Sequence, residues 1–188
     1  MPNVRIIAGT WKGRRLKTPQ GNHTRPTPDR VKEALFSIIA AHLPQAHVLD
    51  LFAGTGALGL EALSRGSSKA VFVESHPQAL VALKENTQHA QGASKLLACD
   101  FNKALPLLRT QKEVFNLVFI DPPYAQGLWH QALEGLHAYG LLQKETLVVC
   151  EHSPEGMGAP VPAYYHVATT RMFGDVCITL LLYTAEGL

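Results

Sequence analysis

The chain has 188 residues, 46% of them hydrophobic and 17% charged, with a formal net charge of +2. These values allow one full hydrophobic core and exclude a disordered chain. No stretch approaches the roughly 18 apolar residues of a membrane span, and the N-terminus is basic and polar rather than leader-like, so a cytoplasmic protein without a membrane partner is expected.

Residues 1–32 hold Arg5, Lys12, Arg14, Arg15, Lys17, Arg25, Arg30 and Lys32 against Asp29 alone, a local charge of +7 that leaves −5 for the remainder. A basic head on an acidic body suits a polyanionic partner, although a merely solvated hairpin would carry the same charges. Within residues 1–22, Arg5-Ile6-Ile7-Ala8 and Arg14 to Leu16 flank Trp11-Lys12-Gly13, which predicts a small basic hairpin. Trp11 serves equally well there as a base-stacking ring or as a local hydrophobic anchor. Thr27 is the expected cap of a first helix, with Pro28 in its first position and Asp29 in its first turn. Val31, Leu35, Ile38 and Ile39 then follow at helical spacing and predict the face that docks on the core.

From residue 47 short apolar runs alternate with helical patterns. The runs at 48–49, 70–73, 96–99, 117–120 and 146–150 are near-continuously apolar, as in parallel strands covered on both faces. Helices are expected over 56–65, 77–89, 102–109 and 128–138, the second of them opened by Ser75 and Pro77. Residues 153–163 are rich in Pro and Gly, and β-like stretches near 164–171 and 175–183 predict a hairpin that closes one side of the sheet. The expected fold is α/β, a Rossmann-like, mostly parallel doubly wound sheet. One domain spans 1–188, with an N-terminal extension over 1–45 and a catalytic core over 46–188. Cys99, Cys150 and Cys177 stand far apart, without disulfide or zinc spacing, and the nine histidines have no ligand spacing, so reduced thiols and no metal are expected.

Asp50-Leu51-Phe52-Ala53-Gly54-Thr55-Gly56-Ala57-Leu58-Gly59 ends the first predicted strand and opens the following helix. Gly54 and Gly56 let the backbone approach a ligand closely. Glu74 ends the second strand, where a carboxylate can take both hydroxyls of a ribose. Asp100 ends the third, in position for an adenine amino group. Strand C-termini are where open α/β sheets bind ligands, although an acid there also serves to cap the next helix. The glycines and Glu74 also satisfy a dinucleotide fingerprint. Asp50, four residues before Gly54, suits the cationic amino-acid end of a sulfonium methyl donor better than a pyrophosphate, and no hydride-transfer constellation follows.

Asp121-Pro122-Pro123-Tyr124 follows the fourth strand. An exocyclic base amine is a poor nucleophile because its lone pair is delocalised into the ring. The Asp121 carboxylate and the Pro122 carbonyl can accept its two N–H groups and localise that pair, with Pro122 and Pro123 fixing the backbone in advance. Tyr124 offers a stacking face worth roughly 1–3 kcal/mol. The alkylated amine is acidic enough for Asp121 to take its proton without a raised pKa.

These two motifs resemble those of the amino-methyltransferases. With Arg5-Ile6-Ile7-Ala8-Gly9, Gly13-Arg14-Arg15-Leu16, Arg25-Pro26-Thr27, Asp29-Arg30-Val31 and the run from Gly56 to Arg65, the whole chain resembles the bacterial family that methylates guanine N2 in 16S ribosomal RNA. Arg171-Met172-Phe173 ahead of Gly174 departs from the lysine associated with that family. The resemblance implies S-adenosyl-L-methionine as cofactor, held by Thr27, Asp50, Phe52, Gly54, Gly56, Glu74, Asp100 and Phe101, the last flanking the adenine. It implies closure of the Arg25 to Arg30 segment over the cofactor. Arg5, Lys12, Arg14, Arg15, Lys17, Arg25 and Arg30 would engage ribosomal RNA in small-subunit particles, with ribosomal proteins nearby. A DNA amino-methyltransferase would use the same catalytic motif but usually needs a target-recognition region, and residues 124–146 are too short to hold one. A non-catalytic RNA-binding module would not need the intact acids and glycines.

Overall fold

The computed structural model describes residues 4–19, 28–123, 127–155 and 159–185. In chain order the elements are α1 (Asp29–Ile38), β1 (His47–Asp50), α2 (Ala57–Ser64), β2 (Lys69–Glu74), α3 (Pro77–Thr87), β3 (Ser94–Ala98), α4 (Phe101–Thr110), β4 (Phe115–Ile120), α5 (Leu128–Ala138), β5 (Leu142–His152), β6 (Tyr165–Phe173) and β7 (Val176–Tyr183). They build one seven-stranded sheet in the order β3-β2-β1-β4-β5-β7-β6. The first five strands run parallel, while β7 is antiparallel to β5 and β6, so the predicted hairpin closes one side of the sheet. Strand order reverses between β1 and β4, and the crevice beyond their C-terminal ends is where such sheets bind ligands.

Helices cover both faces. One apolar cluster joins α1, α2 and α3 to the N-terminal segment through Val4, Ile6 and Leu16. The other seats α4 and α5 through Leu105, Leu108, Leu133 and Leu136. Among the described residues the N-terminal hairpin is held by one isolated bridge, Arg5 to Arg15, and by backbone bonds such as Ile6 N–H to Arg14 O at 2.9 Å.

Several local expectations require correction. Pro28, with φ −57° and ψ 146°, is itself the cap of α1: its carbonyl accepts the Lys32 N–H at 3.0 Å, and the helix begins at Asp29. Thr27 lies outside the described residues. The cap of α3 is His76 rather than Ser75, with Pro77 in the first helical position as expected. The third strand ends at Ala98, one residue before Cys99. On α1, Ile38 is 46% exposed, while Phe36 and Lys32 are buried beside Val31, Leu35 and Ile39. The docking face is rotated towards Lys32 because the N-terminal segment adds a second surface against this helix.

The burial of Lys32 removes one charge from the basic head. Its Nζ donates to the Arg5 carbonyl and lies 3.4 Å from Glu61 Oε2 on α2. Glu61 is fully buried and accepts the N–H groups of Ile7 and Ala8 at 2.8 and 3.0 Å, and Arg65 Nε at 2.8 Å. Loss of hydration pushes the Lys32 ammonium below its usual range, with Glu61 opposing. At Gly9, φ is +82° and a β-carbon would lie 1.8 Å from the Ser64 carbonyl oxygen. Only glycine lets the hairpin lie this close to α2, where Thr10 N–H reaches the Ser64 carbonyl and Trp11 N–H reaches Ser64 Oγ.

Candidate active site

The glycine loop joins β1 to α2. Gly56 caps α2 at φ +81°, and a β-carbon there would lie 2.6 Å from Leu83 Cδ1. Gly59, one turn into the helix, faces β2 so closely that a β-carbon would stand 2.4 Å from the Phe72 ring. Its N–H is accepted at 3.0 Å by Oδ2 of Asp50, the last residue of β1. This bond ties the strand end to the helix. Beside Gly54 the space that a side chain would fill is open.

Asp50 is 2% exposed. Burial drives its carboxyl up to about 7; the Gly59 N–H opposes that shift and the Glu74 carboxylate adds to it. None of these influences is a cation. A buried acid that no cation offsets among the described residues, at the base of an open glycine loop, fits the cationic end of a ligand. Glu74 ends β2 and is already engaged: Oε2 accepts the Gly54 N–H at 2.7 Å, and Oε1 accepts the N–H groups of Ser75 and His76 at 2.8 and 2.7 Å. Asp100 caps α4, its Oδ1 accepting the Asn102 N–H at 2.9 Å. Phe101 is buried at the start of α4, with its ring centroid 5.2 Å from that of half-buried Phe52 on the glycine loop. The structure thus gathers Asp50, Phe52, Gly54, Gly56, Glu74, Asp100 and Phe101 along the C-terminal edge of β1, β2 and β3.

Asp121, Pro122 and Pro123 leave β4 across the switch point from the loop, and Tyr124 lies outside the described residues. Asp121 does not keep an ordinary pKa. Desolvation first, then Glu151 and then Asp50, hold its carboxyl well above the usual carboxylate range. Proton transfer to Asp121 needs no raised pKa, and sequence reasoning gave no sign of this shift because it missed Glu151, the penultimate residue of β5. Its signal in the sequence was an acid directly after the apolar run that ends at Cys150, matching Asp121 after Ile120.

The basic head divides. Lys12, Arg14, Arg15, Lys17 and Arg30 are exposed, whereas Arg5 pairs through Nε with Asp29 Oδ2 at 2.8 Å. Arg25 lies outside the described residues. Trp11 is half-buried, its ring edge-on to His89 with centroids 4.5 Å apart. Among the described residues no group of three or more His, Cys, Asp or Glu is arranged to hold a metal ion, and no helix is long and apolar enough to cross a membrane.

Comparison with known proteins agrees with this geometry. The family model described as conserved hypothetical protein 95 matches residues 4–182. The ribosomal RNA small subunit methyltransferase D of Escherichia coli K12 is 35% identical over 184 residues, 98% of this chain and 92% of its own length. Its namesake from Haemophilus influenzae is 38% identical over 150 residues, 79% of this chain and 78% of its own. Among solved structures, Escherichia coli YhhF superposes with a TM-score of 0.86 at 35% identity, over 98% of this chain and 100% of that one. The chain therefore belongs to the ribosomal RNA small subunit methyltransferase D family.

Proposed function

We propose that the protein is an S-adenosylmethionine-dependent methyltransferase that modifies the exocyclic N2 of a guanine in 16S ribosomal RNA, acting in the cytoplasm on assembled or assembling small subunits. The single observation that carries the reading is Asp121-Pro122-Pro123 leaving β4 at the switch point, opposite a glycine loop whose floor is the buried carboxylate of Asp50. When bound, S-adenosylmethionine supplies an electrophilic methyl group on a sulfonium centre.

Each role then falls to a residue of the chain. Asp50 faces the cationic amino-acid end of the cofactor and Glu74 the ribose hydroxyls. Asp100 receives the adenine amino group, and the Phe52–Phe101 pair lies against the adenine ring. The family resemblance assigns Thr27 to the amino-acid end. Asp121 and the Pro122 carbonyl accept the two N–H groups of the target amine, and Tyr124 stacks on the base. In-line positioning supplies much of the rate enhancement. Asp121, whose carboxyl is held above the usual carboxylate range by burial, Glu151 and Asp50, then takes the N2 proton.

Lys12, Arg14, Arg15, Lys17 and Arg30, with Arg5 and Arg25, form the phosphate-binding surface, and ribosomal proteins complete the substrate. Turning the guanine out of a helix costs a few kcal/mol unless it already lies in a loop. Nucleoside mass spectrometry of ribosomal RNA, taken before and after treatment of small subunits with this protein and methyl-labelled cofactor, tests the reading. N2-methylguanosine is expected as the labelled product. Label on adenine or cytosine refutes the target while sparing the chemistry.

A further inference from the structure

We propose that Glu151 reads the target base: its carboxylate accepts the N1–H of guanine beside the amine held by Asp121, and so selects guanine over adenine and cytosine. The inference rests on the function proposed above and deepens it.

The placement comes from strand register. β4 and β5 run parallel with Ile120 paired to Cys150, so the next residues, Asp121 and Glu151, are neighbours at adjacent strand ends. Glu151 pairs with Ile178 across β7, and directly opposed residues project to the same face. Ile178 packs in the cluster that contains α2 and the N-terminal segment. Asp50 also reaches that face, through its bond to Gly59 on α2. Glu151 therefore emerges on the side where the glycine loop and the basic segment lie. The electrostatic influence of Glu151 on Asp121 is second only to burial, as expected of carboxylates this close.

The strand end that carries Glu151 is rigid. His152 Nδ1 meets the Ser153 carbonyl at 2.8 Å, and its Nε2 meets Thr179 Oγ1 on β7 at 2.8 Å. Thr179 Oγ1 also bonds Thr170 Oγ1 on β6 at 2.9 Å. An acceptor carried on a strand end anchored in this way starts from a backbone that is in place before the base arrives.

The chemistry of the bases supplies the specificity. In guanine the ring nitrogen N1, next to the carbon bearing the amine, carries a hydrogen. In adenine and cytosine the corresponding ring nitrogen is an acceptor. A carboxylate beside Asp121 thus forms a charge-assisted bond with guanine and faces a lone pair on either alternative. Asp121 and the Pro122 carbonyl recognise the amine; Glu151 recognises which ring carries it.

The test uses small subunits reconstituted with guanine or 2-aminopurine at the nucleotide that the wild-type protein labels. 2-Aminopurine keeps the N2 amine but has no hydrogen on N1. The wild type is expected to favour guanine by about ten- to a hundredfold in kcat/KM. Glu151→Gln, whose amide can either accept or donate, is expected to lose a similar factor on guanine and to bring the two substrates close to parity. Its cofactor affinity by calorimetry and its circular dichroism should stay unchanged. Glu151→Asp should keep the preference at a reduced rate. A Glu151→Gln protein that retains the wild-type preference overturns the inference. So does one whose cofactor affinity falls in step with its rate. Failure of the wild type to label guanine at all refutes the proposed function instead, so the two failures are distinguishable.

Discussion

Asp50→Asn should make the protein more stable and less able to bind its cofactor. The folded state raises the Asp50 carboxyl from 3.8 to about 7. Between those values the folded protein holds a proton that the unfolded chain has lost, so the contribution of Asp50 to stability becomes more unfavourable as pH rises through the window and levels off above about 7. At about 1.36 kcal/mol per pH unit, the full penalty approaches 4 kcal/mol, with roughly 2.5 kcal/mol of it developing between about pH 5 and about pH 8. Asparagine carries no such dependence. Its amide oxygen can keep the Gly59 N–H, while its buried NH₂ without a partner costs about 1–3 kcal/mol at every pH. The diagnostic quantity is therefore the pH dependence of the difference between variant and wild type. Urea unfolding at fixed ionic strength, followed by circular dichroism at several pH values, measures it. The difference should grow in favour of Asp50→Asn as pH rises, while calorimetry finds cofactor binding lost. A difference that is flat from pH 5 to pH 8 refutes the claim that the site stores an uncompensated charge.

Wild-type affinity for S-adenosylmethionine should weaken as pH falls below about 7, where Asp50 takes up its proton, and calorimetry across that range reads the effect directly. Asp121→Ala should reduce methyl transfer by about a hundred- to a thousandfold while leaving cofactor binding intact, as measured by labelled-methyl incorporation. Glu61→Ala strands the buried Lys32 ammonium and two backbone N–H groups, and should destabilise the fold by about 3–5 kcal/mol in urea titrations. Replacing any one of Lys12, Arg14, Arg15 or Lys17 by Ala should lower the salt dependence of RNA binding, log K against log salt, by about 0.7–0.9 in slope if that side chain contacts a phosphate.

Local pattern reveals the parts of this protein whose causes are local. α5 runs from Leu128 to Ala138, as its periodicity predicts, and the five apolar runs all lie in or against parallel strands. The glycine loop and the strand-end acids fall together because each strand of a doubly wound sheet delivers its C-terminus to the same edge. Lys32 was hidden for the opposite reason. Among so many exposed cations nothing nearby distinguishes it, and the carboxylate that balances it lies on another helix. Phe36 replaces Ile38 in the docking face because a surface distant in sequence packs against α1. Glu151 acquires significance only from register, since no spacing within one strand reveals which residue of its neighbour stands beside it. The cap at Pro28 reflects a single backbone dihedral, below the resolution of any composition rule.

From Leu58 to Ser64 every residue of α2 is buried, and its two ends anchor different segments of the chain. Gly56 at its start belongs to the glycine loop, while Glu61 and Ser64 hold the basic hairpin. A helix of eight residues is too short to bend within itself, so the glycine loop at its start and the hairpin docked along it are carried on one stiff arm. The hairpin is also not an appendage that can be trimmed: deleting it would strip the outer wall from an apolar helix and take the Ile7 and Ala8 N–H groups from the buried Glu61 carboxylate.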